Sequence, residues 1–402
     1  MNPVEILDLQ ATALAGAVKL AWSVSSTTYL QSFLIVVTKN AEVVNRISVP
    51  VTAREATVTC EGTGFTFNVE AIVAQGGKTA TANPLPLEPL PTTAKLVGAN
   101  GAYTKLQMQQ LKARGANVSR VDEGEAHAQF LNLESIAQTA SEVGMRIIWI
   151  TFQPETDACL AEYMRLTFAQ KAAVAAIEYL NEVDPEGVGN DHSGHEYRQM
   201  FCRERKRWSA AFPDVILLPQ VSNAGKSKAW AEDFFAAEGR AELKEALTGP
   251  AGCHVAMHPT GYDETTPLKI PNGYLENTAT VPVATSWAFQ RFLSVAAAVK
   301  QITGVTPTMW MTEFTHQGGT GKWGEVAKRM EAMFKVLIAC NNGTAPASWL
   351  PSVLAGVPPK VVAVWYDAFN GSENQGMMTS TGGDQPEGVT STFEAMAKVW
   401  VA

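Results

Sequence analysis

From Ala94 onward the chain alternates eight times between a short continuous apolar run and a longer amphipathic stretch. The apolar runs fall at 95–99, 117–121, 145–152, 175–180, 215–219, 254–257, 307–312 and 361–365. Runs of this length with no polar alternation suit strands buried on both faces, the situation of a parallel sheet whose crossovers are helices. The stretches between them, 106–113, 133–143, 160–174, 197–212, 229–247, 286–302, 324–340 and a closing one near 391–401, carry apolar residues at helical spacing. Eight such units predict an α/β (β/α)8 barrel of the TIM type over 94–402, and 402 residues leave room for a second, smaller core. An open doubly wound sheet is the alternative. It is disfavoured because no Gly-x-Gly-x-x-Gly follows the first run and no phosphate-cradling loop appears.

Before the barrel the periodicity is different. Alternating, β-branched runs at 18–24, 33–38, 43–49, 57–60 and 65–73 are separated by turn formers such as Ser25-Ser26, Lys39-Asn40 and Gly76-Gly77. That pattern predicts an all-β antiparallel sandwich over residues 1–83. The stretch Asn83-Pro-Leu-Pro-Leu-Glu-Pro-Leu-Pro91 holds four prolines in nine residues, so 84–93 is expected to be a stiff linker. Trp22 near the end of the second run, Tyr29 opening the third, and Phe65-Thr-Phe-Asn-Val-Glu-Ala71 together resemble a fibronectin type III module. Phe65 stands where that family usually carries a tyrosine whose hydroxyl bonds back to the backbone. The resemblance implies an immunoglobulin-like sandwich acting as a spacer or docking module, without chemistry of its own.

Charge and cysteine usage narrow the function classes. Lys and Arg total 31 against 39 Asp and Glu, a net charge of −8, and basic residues cluster only at 203–207, so nucleic acid is an unfavourable partner. Five cysteines without a Cys-x-x-Cys spacing imply neither a disulfide framework nor a zinc knuckle. No run approaches the roughly 18 apolar residues of a membrane span, and Met-Asn-Pro-Val-Glu lacks the basic and apolar regions of a signal peptide.

In a (β/α)8 barrel the chemistry gathers at the carboxyl ends of the strands. The fourth run exits through Glu178-Tyr-Leu-Asn181-Glu182 and the seventh through Trp310-Met-Thr312-Glu313. Strands four and seven stand on opposite sides of the ring, so Glu182 and Glu313 are expected to face one another across a space that a sugar ring fills. Cleaving a glycosidic bond needs one carboxyl to protonate the leaving oxygen and one carboxylate to attack or stabilise the oxocarbenium-like centre. Retention of configuration requires the two about 5–5.5 Å apart, and inversion about 6.5–9.5 Å. Arg120, ending strand two, would hold Glu313 ionised by its opposite charge, or else pairs with Asp122 or Glu123. Glu178 shares the strand parity of Glu182 one layer deeper, and is expected to be structural, bonded to a basic or hydroxyl group.

These motifs, in this strand order, resemble the clan A retaining glycoside hydrolases. The resemblance spans essentially all of 94–402. It implies Glu182 as general acid/base, Glu313 as nucleophile, Asn181 on the substrate 2-hydroxyl and Arg120 beside the nucleophile. It also implies His258 and Tyr262 as counterparts of the clan's His-x-Tyr motif, here with Thr260 at the usual tyrosine position, and Trp365 as a floor for the central sugar. Trp149 is a second candidate for stacking on sugar. A β-linked oligo- or polysaccharide is then the expected substrate, with no cofactor and no metal, since strand one offers Gly98-Ala-Asn-Gly101 in place of His-x-His. A catalytically inactive carbohydrate-binding or structural barrel is the alternative function. A sandwich, a proline linker and a sugar-cleaving barrel without a signal peptide fit a bacteriophage tail-associated protein acting on envelope glycans, with a virion partner for the sandwich. Otherwise a cytoplasmic or non-classically exported enzyme is expected.

Overall fold

The computed structural model describes residues 4, 6–27, 30–40, 42–60, 64–73, 80–81, 85–87, 93–183, 192–221, 228–258, 260–261, 287–316, 323–369 and 376–402. The N-terminal part forms two antiparallel sheets. One has the order β1 (Ile6–Leu14), β2 (Ala17–Val24), β5 (Glu55–Thr59). The other runs β4 (Glu42–Pro50), β3 (Leu30–Lys39), β6 (Phe65–Val73), β7 (Ala80–Thr81), and β8 (Leu85–Leu87) also pairs with β6. Inward residues of both sheets share one apolar core that includes Val18, Leu20, Trp22, Phe33, Ile35, Phe67 and Val69. Trp22 meets Phe33 edge-on across the two sheets at 5.3 Å.

Two differences from the sequence reading arise here. Ile6–Leu14 is a strand that the sequence reading passed over, although Leu7-Asp-Leu-Gln-Ala-Thr-Ala13 alternates apolar and polar residues as a half-buried strand does; it pairs antiparallel with β2. Leu85–Leu87 lies within the stretch read as linker, yet pairs with Phe65–Phe67. Proline lacks only the donor, so an edge strand tolerates Pro86 where a central one would not. Tyr29 lies outside the described residues.

The second part is a closed parallel barrel. Its strands β9 (Val97–Asn100), β10 (Val118–Asp122), β11 (Arg146–Thr151), β12 (Val174–Tyr179) and β13 (Leu217–Pro219) follow one another in space as in sequence. So do β14 (His254–Met257), β16 (Thr308–His316) and β17 (Val361–Trp365), and β17 pairs back onto β9. The two-residue β15 (Thr260–Gly261) lies beside β16. A parallel bridge between Gln220 and Ala256 closes the ring between β13 and β14. Eight parallel strands with helical crossovers are the (β/α)8 arrangement expected from the apolar runs.

The helices are α1 (Lys105–Ala113), α2 (Glu123–Ala128), α3 (Leu133–Val143), α4 (Asp157–Arg165), α5 (Phe168–Ala173) and α6 (Gly194–Ala211), followed by α7 (Lys228–Phe234), α8 (Arg240–Leu247), α9 (Trp287–Thr303), α10 (Trp323–Asn341) and α11 (Val389–Val401). Two stretches read as single helices are each broken. The 160–174 stretch breaks at Leu166, whose backbone is extended, and restarts on a capping box in which the Thr167 hydroxyl accepts from the Gln170 amide. The 229–247 stretch breaks before Gly239, which takes φ +80° as the N-cap of α8.

Strand parity separates two apolar layers. Val118, Ile148, Ala176, Leu218, Ala256, Trp310, Val362 and Val364 fill the barrel interior. Val121, Trp149, Ile177, Val255, Met311 and Trp365 face the helices instead. The interior plug leaves the carboxyl ends of the strands as the layer where polar side chains collect.

Candidate active site

Four strand ends bring their polar side chains to one place. Arg120 lies in β10, Glu178 in β12 with Asn181 and Glu182 just beyond it, His258 directly after β14, and Thr312 and Glu313 in β16. Arg120 is the hub, with its side chain 2% exposed. Its guanidinium grips Glu178 through two parallel bonds, Nε to Oε2 at 2.7 Å and Nη2 to Oε1 at 2.9 Å. Nη1 donates to Glu313 Oε1, and Nη2 also donates to Asn181 Oδ1 at 2.9 Å. This fork geometry is the one in which arginine exceeds lysine.

Glu178 is fully buried and accepts from Thr312 Oγ1 as well, at 3.2 Å. Burial alone would raise its pKa, but the Arg120 charge and the bonds from His258 and Arg120 outweigh it and hold the carboxyl at about 2. Its roles are those of a permanent anion that anchors Arg120.

His258 is the second buried cation. Nδ1 lies 3.3 Å from Glu182 Oε1 and 3.4 Å from Glu313 Oε2, and Nε2 lies 3.4 Å from Glu178 Oε1. Burial lowers the imidazole's pKa, but the Glu313 charge and the bonds to Glu178 and Glu182 overcome that and the opposing Arg120 charge, lifting it to about 9. At neutral pH it is an imidazolium touching both candidate catalytic carboxylates.

The backbone around Glu182 is strained. Leu180 takes φ +61° and Glu182 φ +41°, the left-handed region that favours glycine. This turn carries Glu182 out of the strand path until its side chain is 41% exposed, while that of Glu313 is 11% exposed. Glu313 is placed by a different device. The pairing of β16 with β17 slips between Met311 and Phe314, a bulge that adds one residue to β16. Trp310 points inward and Met311 outward, then both Thr312 and Glu313 reach interior partners before Phe314 returns to the helix side.

Carboxylate oxygens of Glu182 and Glu313 and Nδ1 of His258 lie within 4.8 Å of one another. Among the described residues this is the grouping from which a cation could draw ligands.

The structure therefore assembles Arg120, Asn181, Glu182, His258 and Glu313, all named from sequence. It places two others elsewhere. Trp149 is 1% exposed and Trp365 0% exposed, both in the helix-facing core, with Trp365 edge-on to Phe314 at 5.2 Å. Neither ring presents a face to a sugar, because each has the strand parity opposite to the interior residues. Tyr262 lies outside the described residues. Sequence reasoning passed over Thr312, which follows the interior Trp310 by two residues and could have been found by parity. It also passed over Asn100, which pairs in register with Arg120 at the end of β9 and whose buried Oδ1 finds no hydrogen-bond partner among the described residues.

The chain matches no protein-family profile, and no curated protein sequence matches it. Solved structures do resemble it at low identity. A family 39 glycoside hydrolase from Bacteroides cellulosilyticus WH2 is 12% identical, with 98% of this chain and 82% of that one covered and a TM-score of 0.45. A β-glucuronidase from Ruminococcus gnavus is 11% identical, over 98% of this chain and 67% of that one, with a TM-score of 0.44. A structure described as a myokine is 21% identical, over 22% of this chain and 99% of that one, with a TM-score of 0.20.

Proposed function

We propose that the barrel is a retaining glycoside hydrolase acting on β-linked glycans, with Glu313 as nucleophile and Glu182 as general acid/base. One observation carries the reading: the two carboxylates approach within 4.8 Å across the barrel mouth, one sunk against Arg120 and the other at its edge. That close approach is nearer the separation of about 5–5.5 Å in retaining enzymes than the roughly 6.5–9.5 Å of inverting ones, and supports retention. Charge counting assigns the roles. Three carboxyls, Glu178, Glu182 and Glu313, meet two cations, Arg120 and His258. Glu178 and Glu313 are buried and each contact both cations, whereas Glu182, with its side chain 41% exposed, is the carboxyl placed to exchange a proton with solvent. Glu313 then attacks the anomeric carbon as Glu182 protonates the departing oxygen, and Glu182 later deprotonates the water that releases the sugar. Asn181, fixed by Arg120, is positioned to bond the sugar's 2-hydroxyl. The N-terminal sheets, with Trp22 against Phe33 in one core, support a fibronectin type III-like sandwich as the accompanying spacer. Its setting on a phage tail is tested by fractionating virions, where absence of the chain excludes it.

The decisive experiment is trapping with a panel of 2-deoxy-2-fluoro glycosides followed by peptide mass mapping. A covalent adduct on Glu313 is expected from at least one sugar. Glu313→Gln should give none, and Glu182→Gln should slow substrates with poor leaving groups by about 10²–10⁴-fold. An adduct on any other residue, or none from a broad panel, overturns the assignment.

A further inference from the structure

The strained turn at Leu180–Glu182 is fastened from outside the barrel. Tyr197, on α6, is fully buried, and its hydroxyl does two jobs. It donates to the Tyr179 carbonyl at 2.8 Å and accepts from the Gln220 amide at 2.7 Å. Tyr179 is the last residue of β12, immediately before the left-handed Leu180. Gln220 follows β13 and bridges to Ala256 of β14, two residues before His258. One hydroxyl thus joins the backbone that launches Glu182 to the backbone that leads to Glu182's imidazolium partner.

We propose that Tyr197 is a positioning residue for Glu182: its hydroxyl holds the exits of strands four and five at the separation that keeps Glu182 against His258 and facing Glu313. The inference rests on the reading of Glu182 as acid/base. Adjacent strands diverge at the mouth of a barrel, and a turn with two left-handed non-glycine residues persists only where its surroundings over-determine it. The Tyr197 ring is itself held, stacked on Tyr179 at 5.8 Å and packed against Trp230 and Phe234 at 6.0 and 5.9 Å. Burial keeps its hydroxyl protonated far above the ordinary range, so the fastening persists at every working pH. Tyr179 adds a second tie, donating from its own hydroxyl to the Pro154 carbonyl at 2.6 Å.

Tyr197→Phe removes one oxygen and keeps the ring contacts. With aryl glycosides of a sugar the wild type turns over, kcat/KM is expected to fall about 10-fold or more for a phenyl leaving group. It should change less than about 2-fold for 2,4-dinitrophenyl, whose departure needs no proton. The 4-aminophenylalanine variant, which restores a donor and an acceptor at that place, should recover most of the loss. An equal fall for both leaving groups, or no fall for either, overturns the proposal. A second readout needs no activity: in ¹⁵N-histidine NMR, the His258 titration should move down in Tyr197→Phe as Glu182 withdraws, and an unmoved titration overturns it. If the wild type cleaves no glycoside yet the His258 shift appears, the fastening stands and the assignment of Glu182 as acid/base is what fails.

Discussion

Arg120 is asked to satisfy Glu178, Glu313 and Asn181 at once, which only a planar five-donor group can do. Arg120→Lys keeps the charge but offers one point in place of a fork. We expect it to lower stability by about 1–3 kcal/mol, read by urea denaturation, because buried acceptors lose their donors. Turnover should fall with it, since Asn181 and Glu313 lose their fixed orientation. The pH dependence of stability follows from the same cluster. His258 is raised from 6.5 to about 9, so its contribution is complete below about pH 6.5 and fades as pH rises through about 9. Glu178 is lowered from 4.5 to about 2, so its contribution is present above about pH 4.5 and fades as pH falls through about 2. Thermal melts should therefore show a plateau near pH 5–6 and a decline toward pH 9.5, and His258→Gln should lack that alkaline part of the decline. A wild-type melting temperature that rises from pH 6.5 to 9.5 would contradict an imidazolium at this site.

At the scale of single elements, most strands were legible because a strand buried on both faces announces itself as an unbroken apolar run. The observed β9 through β14 and β17 begin and end within two residues of the expected runs. The seventh strand runs on to His316, four residues beyond its expected end, because the bulge at Thr312–Glu313 lets polar residues stay in the ladder. Glu313 itself was legible only as an acid at a strand exit. Simple parity from Trp310 puts it with Met311 on the helix side, and only the extra residue turns it inward. The tryptophans fail in the opposite way: resemblance suggested a floor at Trp365, but the parity of Val362 and Val364, readable beforehand, already sent it outward. The break between α4 and α5 was also written locally, in Thr167-x-x-Gln170. Thr167→Ala should cost about 1 kcal/mol in denaturant melts, and Thr167→Asn only a fraction of that. Equal losses from both would show that Thr167 acts through packing rather than through its cap.

Among the described residues the buried apolar clusters fall into two sets with no residue in common, one built from Val4 to Ala71 and the other, the two layers of the barrel, from residues after Thr93. Their separateness was legible from the change of period at the proline-rich stretch, although the first core recruits β8 from within it. Each core is centred on aromatic residues of its own, Trp22 and Phe33 in the sheets and Phe314, Phe334 and Trp365 in the barrel. Mutations in residues without shared partners act independently, so a cavity in one core should leave the stability of the other nearly unchanged. Phe33→Ala removes a fully buried ring from between the sheets and should cost about 3–5 kcal/mol there. That is enough to unfold a small domain whose total stability is only about 5–15 kcal/mol or bring it close to unfolding. In calorimetry of the full chain, the low-temperature part of the trace should shift or vanish in Phe33→Ala while the barrel transition moves by no more than about 1 °C. Proteolysis should then trim the variant to a fragment beginning near residue 93 that keeps whatever glycosidase activity the full chain shows. A variant that loses both transitions together, or loses turnover along with its sheets, would mean that the barrel's mouth depends on the N-terminal sheets and that the two cores fold as one cooperative unit.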